Sequence, residues 1–171
     1  MGEVPRLPPD SCDGAHAADA PMPASPYTRR VKAAEILPRL AELSLPNGDY
    51  ALHSSASLVL RGILEEAGDL DIVARGAAWD QALSLVAAGK AVLDEGRQDS
   101  RVSVGEDVEI YDGWLGENAD TLVDRAESVL GVPCVPLEDV IAVKEKLDRP
   151  KDREHLARIQ EHLMRTREHR G

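Results

Sequence analysis

The 171-residue chain contains no phenylalanine, and aromatic residues make up only 3% of it. A hydrophobic core would therefore have to be built from Leu, Val, Ile and Ala, within an apolar content of 43% that is ordinary for a globular α/β protein. Only two cysteines occur, Cys12 and Cys134, and neither lies in a Cys-x-x-Cys or Cys/His ligand spacing. The sequence thus indicates neither a disulfide framework nor a zinc site, and we expect the protein to reside in a reducing cytoplasm.

Long apolar runs are also missing from the chain. No segment approaches the roughly 18 consecutive apolar residues of a membrane-spanning helix, and the N-terminus lacks the basic-then-apolar order of a secretory signal. We therefore expect a soluble, cytoplasmic protein that makes no use of a membrane.

Positive charge is scarce, because 20 Lys and Arg stand against 31 Asp and Glu, giving a net charge of -11. Lys and Arg supply most of the affinity for a nucleic-acid backbone, so this balance disfavours nonspecific binding to a polyanion. The C-terminal part differs, since from Lys144 to Arg170 nine basic residues face six acidic ones, a local charge of +3. A basic C-terminal element on an acidic body could still contact a phosphate.

The distribution of proline divides the chain into two parts. Residues 1–26 hold six of the eleven prolines and show no hydrophobic periodicity. Such a segment cannot bury enough apolar surface to offset the entropy of ordering it, so we predict a disordered tail. A chain of this length has room for one well-buried core, and we predict a single domain over residues 27–171.

Helical and strand patterns alternate along residues 27–171, which predicts an α/β (α+β) fold. The predicted helices are a segment that starts at Thr28, then Ala56–Glu66, Ala77–Ala88, Glu117–Leu130, Pro136–Leu147 and a last helix from Asp152. The predicted strands are Tyr50–His53, Asp69–Val73, the hairpin Arg101–Val104 and Val108–Tyr111, and Val132–Val135, with a polar loop at Asp94–Ser100.

Two aspartates separated by one residue, Asp69 and Asp71, form the first candidate site. Side chains alternate between the two faces of a strand, so both carboxylates point the same way. Like charges held this close repel and raise each other's pKa unless a cation lies between them, which suits a hard metal such as Mg²⁺. The alternative interpretation is a Gly-Asp turn that leads into an Asp-capped strand.

Two further positions could belong to the same site. Ser54 and Ser55 lie where the Tyr50–His53 strand runs into a predicted helix, and free backbone N–H groups at a helix N-terminus can hold phosphate oxygens. Glu109 is a carboxylate on a regular strand, where charge is disfavoured unless the strand is an edge or the residue has a partner. It is either a solvent-facing residue of an exposed hairpin or a third metal ligand.

Three histidines, His155, His162 and His169, recur every seven residues on the last predicted helix and share one helical stripe. Successive members would stand about 10 Å apart at 1.5 Å rise per residue, too far to chelate one ion. We interpret them as residues of an exposed helix face.

The order of these residues resembles the nucleotidyltransferase superfamily, which has the polymerase-β-like fold. The family signature is an apolar strand ending in Gly-Gly or Gly-Ser, a helix, an Asp-apolar-Asp/Glu strand and a third carboxylate on a later strand. The corresponding segments here are Leu52–Ser55, Asp69–Ile72 and Val108–Ile110. The segment from Pro136 to Asp152 is similar to the C-terminal part of small bacterial antibiotic nucleotidyltransferases and AbiEii-type toxins.

The resemblance implies a mixed sheet flanked by helices, with a C-terminal helical segment, and a Mg²⁺-dependent transfer of a nucleoside monophosphate from a nucleoside triphosphate to a hydroxyl. It assigns residues to two roles: Asp69, Asp71 and Glu109 as metal ligands and catalytic carboxylates, and Ser54, Ser55, Lys144 and Lys151 as contacts of the triphosphate. The acceptor would be a small molecule, a tRNA end or a protein, and a cognate antitoxin-like partner could silence the activity. Asp152 would be a helix cap or a part of the site.

One residue departs from the family pattern, since Ser54 stands where glycine is usual and its Cβ hinders close approach of the backbone to phosphate. Three hypotheses follow. The protein is an active nucleotidyltransferase, or a nucleotidyltransferase-like module that binds nucleotide or a partner without turnover. The third hypothesis is a structural or partner-binding α/β protein in which the three carboxylates are solvated.

Overall fold

A computed structural model describes residues 30–171, so the predicted tail of residues 1–26 lies outside the described part of the chain. The helices of this part are α1 (Ala33–Leu43), α2 (Ser54–Leu60), α3 (Gly76–Ala87), α4 (Ala119–Asp124), α5 (Leu137–Leu147) and α6 (Pro150–Glu168). Its strands are β1 (Val31–Lys32), β2 (Tyr50–His53), β3 (Glu66–Ala67), β4 (Leu70–Ala74), β5 (Val92–Glu95), β6 (Ser100–Val104), β7 (Val108–Tyr111), β8 (Gly113–Trp114), β9 (Glu117–Asn118), β10 (Glu127–Val129) and β11 (Val132–Cys134).

Seven strands form one mixed sheet in the order β10-β11-β2-β4-β7-β6-β5. The central strand β4 is antiparallel to β2 and parallel to β7. Its register places Asp71 opposite His53 on one side and opposite Glu109 on the other. Directly paired residues point to the same face of a sheet, so these three side chains form a row across its centre.

The core is aliphatic, as the absence of phenylalanine predicts, and it consists of two clusters on the two faces of the sheet. Ile72 belongs to the cluster that includes buried residues of α1 and α3. Val73 belongs to the other cluster, which includes buried residues of α4, α5 and α6. Because faces alternate along a strand, Asp71 lies on the same face as Val73, toward the C-terminal helices.

The C-terminal helices α5 and α6 pack against each other and are joined by a tight connection. The chain leaves α5 through Asp148, whose φ of +47° is left-handed, and α6 begins at Pro150. Proline suits the first helical position because its ring fixes φ and its missing N–H would have no partner there. The α/β (α+β) fold class, with a mixed sheet and a C-terminal helical segment, is confirmed.

Several predicted element boundaries are wrong. The helix predicted over Ala56–Glu66 ends at Leu60, and the loop predicted from Asp94 overlaps strand β5. The helix predicted over Glu117–Leu130 is instead β9, the short α4 and β10. A two-residue turn, Leu130-Gly131, with positive φ at both positions, joins β10 to β11.

Candidate functional site

Three carboxylates meet at the central strand pair. Asp71 is in β4, Asp69 directly precedes that strand, and Glu109 is paired with Asp71 across the parallel β4–β7 ladder. Each of the three offers a carboxylate oxygen, and these oxygens all lie within 4.8 Å of one another. We call this group the acidic cluster. The sheet register therefore brings together residues that are 40 positions apart in the sequence.

Burial and neighbouring negative charges raise the pKa values of two members of the acidic cluster. Burial, followed by the charges of Glu109 and Asp69, raises the pKa of Asp71 to about 7. Burial and then the charge of Glu109 also raise the pKa of Asp69. Both effects disfavour the ionised form, and a cation between the carboxylates would reverse them. Three hard oxygen donors in this state fit a divalent cation such as Mg²⁺.

Glu109 is held by two neighbours, Tyr111 and Arg101, which sequence reasoning did not assign to the site. The Tyr111 hydroxyl donates to Glu109 Oε2 at 2.6 Å, and Arg101 Nη1 lies 3.4 Å from Oε1. Burial and this hydrogen bond raise the pKa of Tyr111, so it stays a neutral donor. The two-residue spacing of Glu109 and Tyr111 on one strand face is the signal that could have identified the pair.

The junction of β2 and α2 has an unusual backbone. Ser54 adopts a φ of +57°, in the left-handed region that favours glycine. The His53 ring accepts a hydrogen bond from the Ser54 backbone N–H at Nδ1, 2.6 Å away, and Ser57 Oγ donates to the Ser54 carbonyl at 2.7 Å. Helix α2 has only seven residues, so its dipole is weaker support for phosphate binding than the longer predicted helix would be.

His53 is a buried residue that sequence reasoning did not assign to the site. Its side chain is 1% exposed, and its ring stacks on Trp114 with centroids 4.2 Å apart. Burial, followed by the charge of Lys144, lowers the pKa of His53 to about 3, so the ring is neutral at physiological pH. It thus positions the Ser54 backbone and the Trp114 ring without adding charge.

Lys144 brings a buried positive charge to the site from α5. Its ammonium is 3.5 Å from Asp152 Oδ1 and 3.0 Å from His155 Nδ1, and the side chain is 3% exposed. Burial lowers the pKa of Lys144, and the Asp152 charge opposes that effect. The prediction of an exposed histidine stripe is thus wrong for His155, which is half-buried against Lys144.

Asp152 is fully buried, and Arg149 contacts it three times. The Arg149 backbone N–H, Nε and Nη2 donate to the Asp152 carboxylate at 3.2, 2.7 and 3.3 Å. Burial alone would raise the pKa of Asp152, but the hydrogen bonds from Arg149 and the charge of Lys144 outweigh it and hold the pKa below its usual value. Asp152 is the third residue of α6 and not its N-cap, which is Arg149; it accepts from the Arg149 backbone N–H and forms an ion pair with Lys144.

One cavity of about 380 Å³, the central cavity, brings all of the predicted site residues together. Those residues are Ser54, Ser55, Asp69, Asp71, Glu109, Lys144 and Lys151. Tyr111, Trp114, Arg149 and Asp152 also line it. A second cavity of about 540 Å³, the outer cavity, adjoins it and shares Ser55, Gly68 and Lys151 with it.

Comparison of the chain with models of protein families, with curated proteins and with solved structures found no match. Within residues 30–171, no helix is both long and apolar enough to cross a bilayer. Function must therefore be argued from the geometry and chemistry of the central cavity.

Proposed function

We propose that the protein is a Mg²⁺-dependent nucleotidyltransferase, which moves a nucleoside monophosphate from a nucleoside triphosphate to a hydroxyl. The observation that carries the proposal is the convergence of the acidic cluster with two serines and two lysines in one cavity. Carboxylates for a divalent cation beside cations for phosphate are the parts that phosphoryl transfer needs. Asp71 and Glu109 are only partly exposed, which speaks against the hypothesis of solvated carboxylates.

Asp69, Asp71 and Glu109 would hold the Mg²⁺, which when bound neutralises triphosphate charge and polarises phosphoryl oxygens. Ser54 and Ser55 would contact phosphate oxygens through hydroxyl and backbone groups. The short helix α2 would position these two serines, and its dipole would not be needed for the contact.

The two lysines would serve the triphosphate differently. Lys144 is buried and fixed by its two partners, so it would supply a preorganised charge. Lys151 is exposed at the boundary of the two cavities, so it would follow the phosphates as a mobile charge.

The transfer step is a displacement at the α-phosphorus. The acceptor oxygen forms a bond to that phosphorus, the bond to the leaving pyrophosphate breaks, and Glu109 receives the proton of the acceptor hydroxyl. The Tyr111 hydroxyl, which donates to Glu109 at 2.6 Å, would keep this carboxylate oriented. The outer cavity offers space for an acceptor, which would be a small molecule, a tRNA end or a protein. The cytoplasmic location and an antitoxin-like partner stay predictions.

Thermal unfolding with each nucleoside triphosphate, with and without Mg²⁺, tests the proposal. A ligand at a hundred times its dissociation constant should stabilise the protein by about 2.7 kcal/mol. We expect a Mg²⁺-dependent rise in Tm that Asp71→Asn abolishes and that Asp80→Asn, an exposed change on α3, preserves. A radiolabelled triphosphate then detects the product of transfer. The absence of any Mg²⁺-dependent shift would contradict the proposal.

A second candidate function is nucleotide binding without turnover, and the conformation of Ser54 favours it. A serine in left-handed backbone places a Cβ where glycine would leave room for phosphate. Under this candidate the triphosphate and Mg²⁺ raise the Tm, but no labelled product forms with any acceptor class. Ser54→Gly would then increase triphosphate affinity and restore transfer if the Cβ alone blocks it.

A further inference from the structure

Four apolar side chains lie together among the residues of the central cavity. They are Trp114 and Leu115 from the β8–β9 hairpin, and Val143 and Leu147 from α5. We call them the apolar wall. Eight of the sixteen residues that line this cavity are charged, so the wall is a distinct surface within it.

The apolar wall is not closed off by the core. Leu115 is 40% exposed, and Trp114, Val143 and Leu147 are each partly exposed. A smaller cavity of about 210 Å³ continues from the central cavity and shares Trp114, Leu115 and Val143 with it. The wall therefore offers apolar surface that a ligand can cover, next to the groups proposed to hold the triphosphate.

Trp114 is held in a fixed orientation before any ligand binds. Its ring stacks on His53 with an interplanar angle of 15°, and Tyr111 meets it edge to face at 4.9 Å between centroids. His53 and Tyr111 lie on β2 and β7 of the seven-stranded sheet, and Trp114 lies on β8 of the separate β8–β9 hairpin, so the stacking itself fixes the Trp114 ring. An aromatic side chain that is already immobilised loses little entropy when a flat ligand packs against it.

The outer cavity has the same share of charged residues as the central cavity, but no tryptophan or tyrosine lines it. Six of its twelve lining residues are charged, namely Arg30, Glu65, Glu66, Lys151, Glu154 and Arg158. A nucleobase has apolar faces and no charge at neutral pH, so it gains more on the apolar wall than among these residues.

We infer that the apolar wall is the subsite for the nucleobase of the triphosphate, with the base packed on Trp114 and Leu115. This inference rests on the proposed function and adds to it the part of the cavity that each substrate occupies. The acceptor then enters through the outer cavity, at the side of Ser55 and Lys151.

Tryptophan fluorescence tests the subsite, because residues 1–171 contain only two tryptophans. Trp79 lies on α3 and packs against the cluster on the other face, so a Trp79→Phe protein reports on Trp114 alone. We expect Mg²⁺ with ATP, CTP, GTP or UTP to quench this fluorescence. Mg²⁺ with inorganic tripolyphosphate, which has no base, should raise the Tm without quenching.

Leu115→Ala tests the same subsite without disturbing the stacked rings. It should weaken triphosphate binding roughly fivefold and leave tripolyphosphate binding unchanged, since it removes partly exposed apolar surface that only the base covers. Leu130→Ala is the matched control, because Leu130 is also an exposed leucine with φ of +51° ahead of a glycine in a two-residue hairpin turn. It should change neither affinity.

The outcomes separate the two proposals. If tripolyphosphate and the triphosphates bind but Trp114 is not quenched and Leu115→Ala binds normally, the base subsite is wrong and the proposed function stands. If neither tripolyphosphate nor any triphosphate binds in the presence of Mg²⁺, both are overturned.

Discussion

Replacing Asp152 with asparagine should destabilise the protein strongly, although Asp152 is not among the proposed metal ligands. The carboxylate is 0% exposed and neutralises Lys144, whose side chain is 3% exposed. Asparagine keeps the size of the side chain and one acceptor oxygen for the N-terminus of α6. The substitution thus removes chiefly the negative charge.

The expected magnitude follows from the burial of Lys144. Removing one partner of a buried ion pair costs about 3–5 kcal/mol, because the other charge is left uncompensated. We expect the lower end, about 3 kcal/mol, since His155 Nδ1 remains 3.0 Å from the ammonium and Lys144 can also lose its proton. For a protein of this size, that loss lowers the Tm by roughly 6–12 °C.

Calorimetry or circular dichroism at pH 7 measures this effect, with Asp148→Asn as the control. Asp148 is a neighbouring carboxylate that pairs with Arg153 on the surface, so its replacement should change the Tm little. The double variant Asp152→Asn with Lys144→Met should recover much of the loss, because it removes both charges. Equal Tm values for Asp152→Asn and Asp148→Asn would refute the reasoning.

The effect of Asp152→Asn should also depend on pH. The pKa of Asp152 in the folded protein is held below its usual value. The ionised carboxylate therefore stabilises the folded state at every pH above that usual value. This stabilisation is lost as the pH falls through the pKa of the folded protein. The difference between wild type and variant should therefore be full at pH 7 and shrink under strongly acidic conditions.

Three further predictions concern the site. Asp71→Asn should increase the free energy of unfolding at pH 8 by at most about 4 kcal/mol, and so raise the Tm at pH 8 but not at pH 4. The reason is that a pKa of about 7 makes the stability of the wild type fall as the pH rises from 4 to 7. An unchanged Tm at pH 8 would contradict this. Ser54→Gly should relieve about 1 kcal/mol of left-handed strain, and the larger unfolded-state entropy of glycine should partly offset this gain. The free energy of unfolding, measured with urea, should therefore differ from that of the wild type by less than about 1 kcal/mol. His155→Leu should weaken Mg²⁺-triphosphate binding by releasing Lys144, while His155→Asn, which keeps an acceptor near Nδ1, should bind better than the leucine variant in a titration.

The sequence was most informative where chemistry repeats with the period of a strand. Asp69 and Asp71 share a face because they are two positions apart, and the same rule puts Tyr111 beside Glu109. Only the family resemblance implied that these residues share a site with Lys144, because strand order and register are set by long-range pairing. The structure places them in one cavity, and their roles remain proposals.

What the sequence did not predict depends on tertiary contacts or on atypical turns. The contact of His155 with Lys144 joins two helices, and periodicity on one helix cannot reveal it. The helix predicted over Glu117–Leu130 failed because leucine is a rare choice at the positive φ of the Leu130-Gly131 turn. No Asn-Gly or Asp-Gly pair marks the hairpin in this segment.

The position of Asp71 at the centre of the mixed sheet also determines which changes in chain length the protein can tolerate. One residue inserted into or deleted from β4 would exchange the faces of the side chains on one side of the change, so that Ile72 would point toward the C-terminal helices and an aspartate into the aliphatic core. Insertions in the Gly105–Asp107 connection would not exchange faces in this way. An insertion and deletion scan should thus find two intervals that do not tolerate a change in length, residues 69–74 and 108–111, and tolerant loops between them.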